Sequence, residues 1–428
     1  MIKFGIKQTD ERITSQAGLS LVVAFFESVK LPELVNGTLP KPGSANGFSP
    51  YLYVLSLALM MIGGGEALDH VRKIASDKCL LKLLGISRLP SPDALGDWLR
   101  RHFKMAYPGM KTVMKAVFQP ILAREERDDF TLDADATGIE SHKDSAKMTY
   151  KGFPGYMPML ANLAEIPFFI VDDFREGNVP PQAKPLSILE EAMAFMPKGK
   201  RIARLRSDAA WYQAAVFNYC EDKGIMFSIT ADQDKAVVKE ISRITEWHPL
   251  YDRDGRRTDQ EWGETVHAME KTEKSFRLIV LRTEKASEYP NQTRLFKEYR
   301  YHAIATNNEE APAQEAIHWH NGRGQSENYN KEIKLGFGLE HLPCSDFEAN
   351  ALYFRIGILA YNMIVAMKHL ALGDEWQTTT IKTLRWVLLN TAGKLMRHGR
   401  RWMLRLANLN RAAFDWWLDV RLRCRQLA

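Results

Sequence analysis

The sequence predicts an α/β fold: a helical region before about residue 125, a core of strands and helices, and a basic helical tail. Three observations lead there. Residues 130–137 alternate Phe130, Leu132, Ala134 and Ala136 with Thr131, Asp133, Asp135 and Thr137, the period of two that a strand requires. From that point to residue 230 the chain reads strand, strand, strand, helix, strand, helix, strand, which builds a sheet with helices packed on it. From Lys382 to the last residue there are eleven basic and two acidic side chains, a net +9 in a chain whose total is +6.

At 428 residues the chain is long enough for several structural units, at roughly 150 residues each. Residues 19–29 and 51–62 are mostly apolar and helical, and Gly63-Gly64-Gly65 stops the second. Residues 68–84 read as a mixed-charge helix ended by Gly85. Ser91-Pro92-Asp93 then opens another helix with a cap, a proline in the first turn and an acid beside it. That helix places Leu95, Trp98, Leu99 and Phe103 on one face, with Arg100, Arg101 and Lys104 off it. Two readings stand: a helix-turn-helix reader of DNA, or a packed helical pair with a solvated basic side, the simpler of the two.

The core strands are expected at 130–137, 156–163, 167–174, 201–206 and 226–230, with helices at 186–195 and 211–223. Residues 231–300 are polar and interrupted, with strand-like pieces such as 275–281, and read as a β-rich insertion. The core resumes with a strand at 301–306. A helix follows over 313–336, broken near 321–324, and then a long apolar helix over 347–372. The organisation is therefore 1–125 helical, with DNA-end binding as its candidate role; 126–230 first part of the core; 231–300 insertion; 301–372 second part of the core; 373–428 basic region.

A basic tail on a near-neutral body suits a polyanionic partner, nucleic acid first. Cys79, Cys220, Cys344 and Cys424 are scattered and form no C-x-x-C pair, which fits a reducing compartment. The first residues carry no apolar core of signal-peptide type, and the apolar run 51–62 is shorter than the roughly 20 residues of a bilayer span. The expectation is a cytoplasmic protein, not embedded in a membrane.

Three acidic residues occupy suggestive places. Asp135 lies in the first core strand, Asp208 follows a later strand in Arg206-Ser207-Asp208, and Glu327 stands on a helix beyond the insertion. Separations of 73 and 119 residues mean that only the fold can bring them together. Phosphodiester chemistry with two Mg²⁺ ions needs hard oxygen ligands of this type, and cations for the flanking phosphates. Arg323, Glu327 and Lys334 stand at i, i+4 and i+11, on one face of an uninterrupted helix. The same spacing also describes a surface ion ladder. His318 and His320 diverge on a helix and have no third metal ligand at a fitting spacing, so a structural role is expected of the pair. Trp247 and Trp262 are candidates for exposed loops that contact unstacked bases. Trp416-Trp417 is expected in the core or against a partner.

LDADAT at 132–137, FREGNVPP at 174–181, RLRSDAAWY at 204–212 and HNGRGQSENYNKEIKLGFGLEHLPC at 320–344 occur in this order. Together they resemble the DDE transposases of bacterial insertion sequences, in the group whose RNase H-like core is interrupted by a β-strand insertion. The family's helix motif is Y-x2-R-x3-E-x6-K. Arg323, Glu327 and Lys334 fit it, and His320 stands where tyrosine is expected.

The resemblance implies a mixed sheet of RNase H type, with Asp135, Asp208 and Glu327 as catalytic residues ligating two Mg²⁺ or Mn²⁺ ions. It implies cut-and-paste movement of an element: binding of terminal inverted repeats, cleavage at the ends, a DNA hairpin on the way, and joining of 3′-hydroxyls to target DNA. His320, Arg323, Lys334, Arg400 and Arg401 are the candidate DNA contacts. The partner is double-stranded DNA, with a homodimer on paired ends, at the bacterial nucleoid. Two alternatives remain open. One is a DNA-binding relic without activity, which the intact acidic triad opposes. The other is a haloacid-dehalogenase-type phosphatase built on Asp133 and Asp135. That reading has only 37 residues from Asp135 to Asp172 for its remaining motifs and leaves Asp208 and Glu327 unused.

Overall fold

The computed structural model describes residues 4–43, 47–285, 297–407 and 409–427. The chain forms two compact units. One comprises Leu122–Ile139 and Lys147–Asn330; the other comprises Met1–Ile121, Glu140–Ala146 and Lys331–Ala428.

The first is a sheet unit. Its strands are β1 (Asp129–Ala136), β2 (Met159–Leu163), β3 (Phe169–Asp173), β4 (Arg201–Ser207), β5 (Met226–Thr230), β6 (His248–Tyr251), β7 (Arg257–His267), β8 (Phe276–Glu284) and β9 (Tyr299–Thr306). They form one nine-stranded sheet in the order β6-β7-β8-β9-β5-β4-β1-β2-β3. β4 runs parallel to β1 and to β5, and the remaining pairs are antiparallel. The segment β3-β2-β1-β4-β5 is the RNase H-like mixed sheet. Helices Pro185–Phe195 and Ala214–Lys223 supply the crossovers that parallel strands require.

Two expectations change here. Strand β1 is buried on both faces from Phe130 to Ala134, so its polar residues are also interior. It lies near the middle of the sheet, and each inward polar group has a partner. Thr131 Oγ1 donates to Glu165 Oε1 at 2.8 Å and accepts from Arg204 Nε at 2.9 Å. The insertion, in turn, is not a separate module. β8 pairs with β9 over eight residues and β9 pairs with β5, so the insertion strands continue the core sheet. Its residues 286–296 lie outside the described ones. Trp262 packs on a cluster of Leu250, Ile279, Leu281, Ile304 and Ile317, and the Arg282 guanidinium lies 4.2 Å from the Trp247 ring. Both tryptophans are therefore half-buried packing residues, not loop tips.

The second unit is mainly helical. Its longest helix, Pro92–Ala123, runs 32 residues and buries Leu95, Trp98 and Leu99. Arg100 and Arg101 pair with Asp97 at the surface. The stretch 68–84 is three short pieces. Asp77 interrupts it, accepting from Leu80 N at 2.7 Å and from Thr14 Oγ1 at 2.6 Å. The Phe347–Leu372 stretch is long and apolar enough to cross a membrane by composition, and all of its most apolar window is buried within the protein.

The tail departs from the helical expectation. Gly393–His398 and Arg401–Leu406 form a β-hairpin that pairs with Ile13–Thr14, and only then comes a helix, Arg411–Gln426. No local pattern announces a strand whose third partner is some 380 residues away. The terminal helix packs on Leu19–Ser28 and buries Trp417, Val420 and Cys424, while Trp416 stacks on Trp376 at 4.7 Å. All four cysteines are free and buried.

Candidate active site

The site is built on the parallel pair β1 and β4. Their register sets Asp133 opposite Arg206 and Ala134 opposite Ser207, so Asp135 and Asp208 fall at the next step, where both strands end. Asp135 is mostly buried and Asp208 half-buried. Asp208 also caps the turn Ala209–Trp211, with Oδ1 accepting from Ala210 N at 3.0 Å.

Glu327 lies on the helix Gly324–Lys331. That helix docks through Ser326 and Asn330, an i, i+4 pair on its buried face. Ser326 Oγ donates to Asn162 Oδ1 of β2 at 2.8 Å, and Asn330 Nδ2 donates to Asp135 Oδ2 at 3.0 Å. Glu327 remains exposed. Arg323 stands between the acids, its guanidinium 3.8 Å from Asp135 Oδ1 and 3.6 Å from Glu327 Oε1.

Burial raises the Asp135 carboxyl to about 6, and the charges of Asp208 and Glu327 push in the same direction against Arg323 and the Asn330 hydrogen bond. The fold thus brings Asp208 and Glu327 within electrostatic reach of Asp135. Carboxylate oxygens are the hard donors that a divalent ion such as Mg²⁺ takes. Among the described residues no three such side chains stand close enough to hold one as they are placed.

Asp133 is fully buried and binds the Arg206 guanidinium through both oxygens, at 2.7 Å each. It is a structural carboxylate, and Asp135 is the strand acid that faces the other two.

The remaining candidates divide. His320 is 3% exposed, with Nδ1 2.8 Å from Ser228 Oγ and Nε2 3.2 Å from Thr230 Oγ1. Burial, then the charges around it, lower its pKa to about 3. The expectation that His320 contacts DNA is corrected: a neutral ring with both nitrogens occupied fastens its helix to β5. Lys334 belongs to the helical unit and lies in a π-helical turn, Glu332–Gly336. A wider turn breaks the 3.6-residue spacing, so Arg323, Glu327 and Lys334 do not share one α-helical face. Arg400 and Arg401 are exposed at the tip of the hairpin, next to Gly399 at φ 59°.

Asn162, Arg206, Ser326 and Asn330 were not legible as site residues. One signal was available for Arg206: it precedes Asp208 by the same two residues that separate Asp133 from Asp135, which puts it on the same strand face.

Residues 3–413 match the family described as Transposase DDE domain group 1. The chain belongs to this DDE transposase family. No curated protein matches it. Among solved structures it is similar to a piggyBac transposase synaptic complex with hairpin DNA, determined by cryo-electron microscopy. The TM-score is 0.47 at 10% identity, over 89% of this chain and 82% of that one. So distant a likeness transfers no residue's role. The transposase family spans both units, so the helical unit and the hairpin are as much part of the enzyme as the sheet.

Proposed function

We propose that this transposase cuts the ends of a mobile element and joins them to target DNA, with Asp135, Asp208 and Glu327 holding two Mg²⁺ or Mn²⁺ ions. The observation that supports this reading is that Asp135 and Asp208 follow the paired ends of β1 and β4, while Arg323 lies between Asp135 and Glu327. When bound, the ions would activate the attacking oxygen and stabilise the leaving one. The chain's own part is to hold the ligands and the phosphates. Asn330 fixes the orientation of the Asp135 carboxylate. Arg323, already between two acids, is placed to take up a phosphate oxygen beside the scissile bond.

Balanced in atoms, a water oxygen bonds to phosphorus and the 3′-oxygen leaves with a proton as a hydroxyl. On the hairpin route that hydroxyl bonds to the opposite-strand phosphorus and displaces a 3′-oxygen there, and a second water opens the hairpin and restores the hydroxyl. The hydroxyl then bonds to a target phosphorus and displaces a new 3′-oxygen, which leaves with the proton. Duplex DNA, as terminal repeats and as target, is the partner. A hairpin on the excised end and a dimer on paired ends belong to the same proposal. Arg400 and Arg401 extend the DNA contact along the backbone.

The test is purified protein with a labelled end fragment, in Mg²⁺ or Mn²⁺ and in EDTA. Cleavage should require the ion; cleavage that survives exhaustive chelation sinks the two-metal reading. Glu327→Gln should bind ends as the parent does and fail to cut.

A further inference from the structure

Beside the acidic site, one side chain links the strand of Asp135 to the segment that leads into Arg323, and it stands two residues before Asp208. Arg206 is 7% exposed. Its Nε and one terminal nitrogen each donate to Asp133 at 2.7 Å, and its other terminal nitrogen donates to the Trp319 carbonyl at 2.8 Å. Asp133 is two residues before Asp135, Arg206 is two before Asp208, and Trp319 is four before Arg323.

We propose that Arg206 is a positioning residue for strand cleavage: one guanidinium fixes the three segments that carry Asp135, Asp208 and Arg323. The proposal rests on the assignment of the acidic site above.

The physical case begins with repulsion. Asp135 and Asp208 end two adjacent parallel strands, and their charges oppose each other. The rung beneath them is an attractive one, Asp133 against Arg206, closed by two charge-assisted hydrogen bonds in fork geometry. That rung sets the spacing of the pair above it. The third bond does a different job. It anchors the end of the helix Ala313–Asn321, from which the chain turns through Gly322 into Arg323 and the Glu327 helix. Lysine has the charge but no planar fork and cannot make all three bonds at once.

Gly322 supplies an independent observation. Its φ is −58°, a conformation any residue adopts, so glycine is not there for its backbone. It is there for room: a Cβ at this position would lie 2.4 Å from the Arg206 terminal nitrogen and 3.0 Å from the Trp319 oxygen. An alanine would drive the guanidinium off that carbonyl without removing any charge.

The experiment measures three quantities on the full chain: thermal unfolding, affinity for a labelled end fragment, and the cleavage rate at saturating fragment in a single turnover. Arg206→Lys should unfold cooperatively and bind ends within about twofold of the parent. Its cleavage rate should fall by about a hundredfold, the scale of a roughly 1 Å misplacement. Gly322→Ala should show the same separation of rate from affinity. In the Arg206→Lys background Gly322→Ala should cost little more, since the thinner side chain leaves room.

A role confined to stability predicts otherwise: rates that track the folded fraction, and Gly322→Ala at the parent's rate. Either result overturns the proposal, as does a multiplicative double variant. If Arg206→Lys does not fold, Gly322→Ala alone decides. Glu327→Gln, run in parallel, separates the layers. Normal cutting by that variant ends the site assignment and this proposal with it. An inactive Glu327→Gln beside a fully active Gly322→Ala ends this proposal alone.

Discussion

His320 is neutral at pH 7 because both ring nitrogens are spoken for inside the sheet unit and charging it would strand a cation there. Its folded pKa, about 3, lies below the ordinary 6.5, so the unfolded chain binds the extra proton first as pH falls. The stability it contributes is complete above about pH 7.5 and is lost as pH falls through 6.5 toward 3, at up to about 1.4 kcal/mol per pH unit. Between pH 6.5 and 5 that is roughly 2 kcal/mol. His320→Gln should therefore lose less stability than the parent from pH 7.5 to 5 in urea unfolding. Equal losses in the two proteins would show that the ring titrates normally. The two strand acids give a second contrast. Asp133→Asn leaves Arg206 as a buried charge short of its partner and should cost about 3–5 kcal/mol. Asp135→Asn removes a repelled charge, whose raised pKa makes it a liability above about pH 6. It should unfold at or above the parent's temperature while abolishing cleavage. The reverse pattern in melting and end-cleavage assays would move the catalytic role to Asp133.

Elements whose partners lie close in sequence were legible, and those completed from afar were not. The strand at 226–230 was placed to the residue, and β1, β3 and β4 within two, because each alternates or runs apolar between clear breakers. The strand expected over 156–163 is broken at Met157-Pro158, since proline lacks the N–H a ladder needs. The hairpin at 393–406 is not legible, because the strand that completes its sheet, Ile13–Thr14, and the helix Lys78–Leu83 beside it both lie more than 300 residues away in sequence. Its register explains its candidate role. Lys394 faces Arg405, like charges set directly across the ladder. Among the described residues Arg400, Arg401 and Arg405 form no ion pair, although Lys394 is paired with Glu11. Such an arrangement is unfavourable in isolation and is relieved by a polyanion. Replacing Arg400, Arg401 and Arg405 by glutamine should weaken duplex binding. It should also reduce the slope of log K against log salt by up to about 2.7, near 0.9 for each phosphate released. An unchanged slope in a folded variant would remove the hairpin from the DNA interface.

At the scale of the molecule, the sheet unit is drawn from the middle of the sequence and the helical unit from both flanks. A basic tail read from charge alone invites deletion as the test of its role, and the fold makes that test uninformative. Residues after 381 bury Leu384, Leu388, Leu389, Leu395, Trp417 and Val420 inside the helical unit. Arg385 donates to the Ile62 and Met61 carbonyls and to Gly336 O, satisfying the open end of the helix Pro50–Ile62. Burying a large apolar side chain is worth roughly 1.5–3 kcal/mol, so these six side chains alone approach the whole stability of a domain, about 5–15 kcal/mol. Deleting 382–428 should therefore abolish cooperative unfolding of the helical unit, uncover the apolar face of Leu19–Ser28 and leave the last carbonyls of Pro50–Ile62 without the Arg385 cap. The sheet unit, whose strands all pair among themselves, should keep its β signal. Circular dichroism and calorimetry of the truncated chain distinguish the outcomes. A truncated protein that melts like the parent, with its helical signal reduced only by the residues removed, would mean that the tail is an appendage after all.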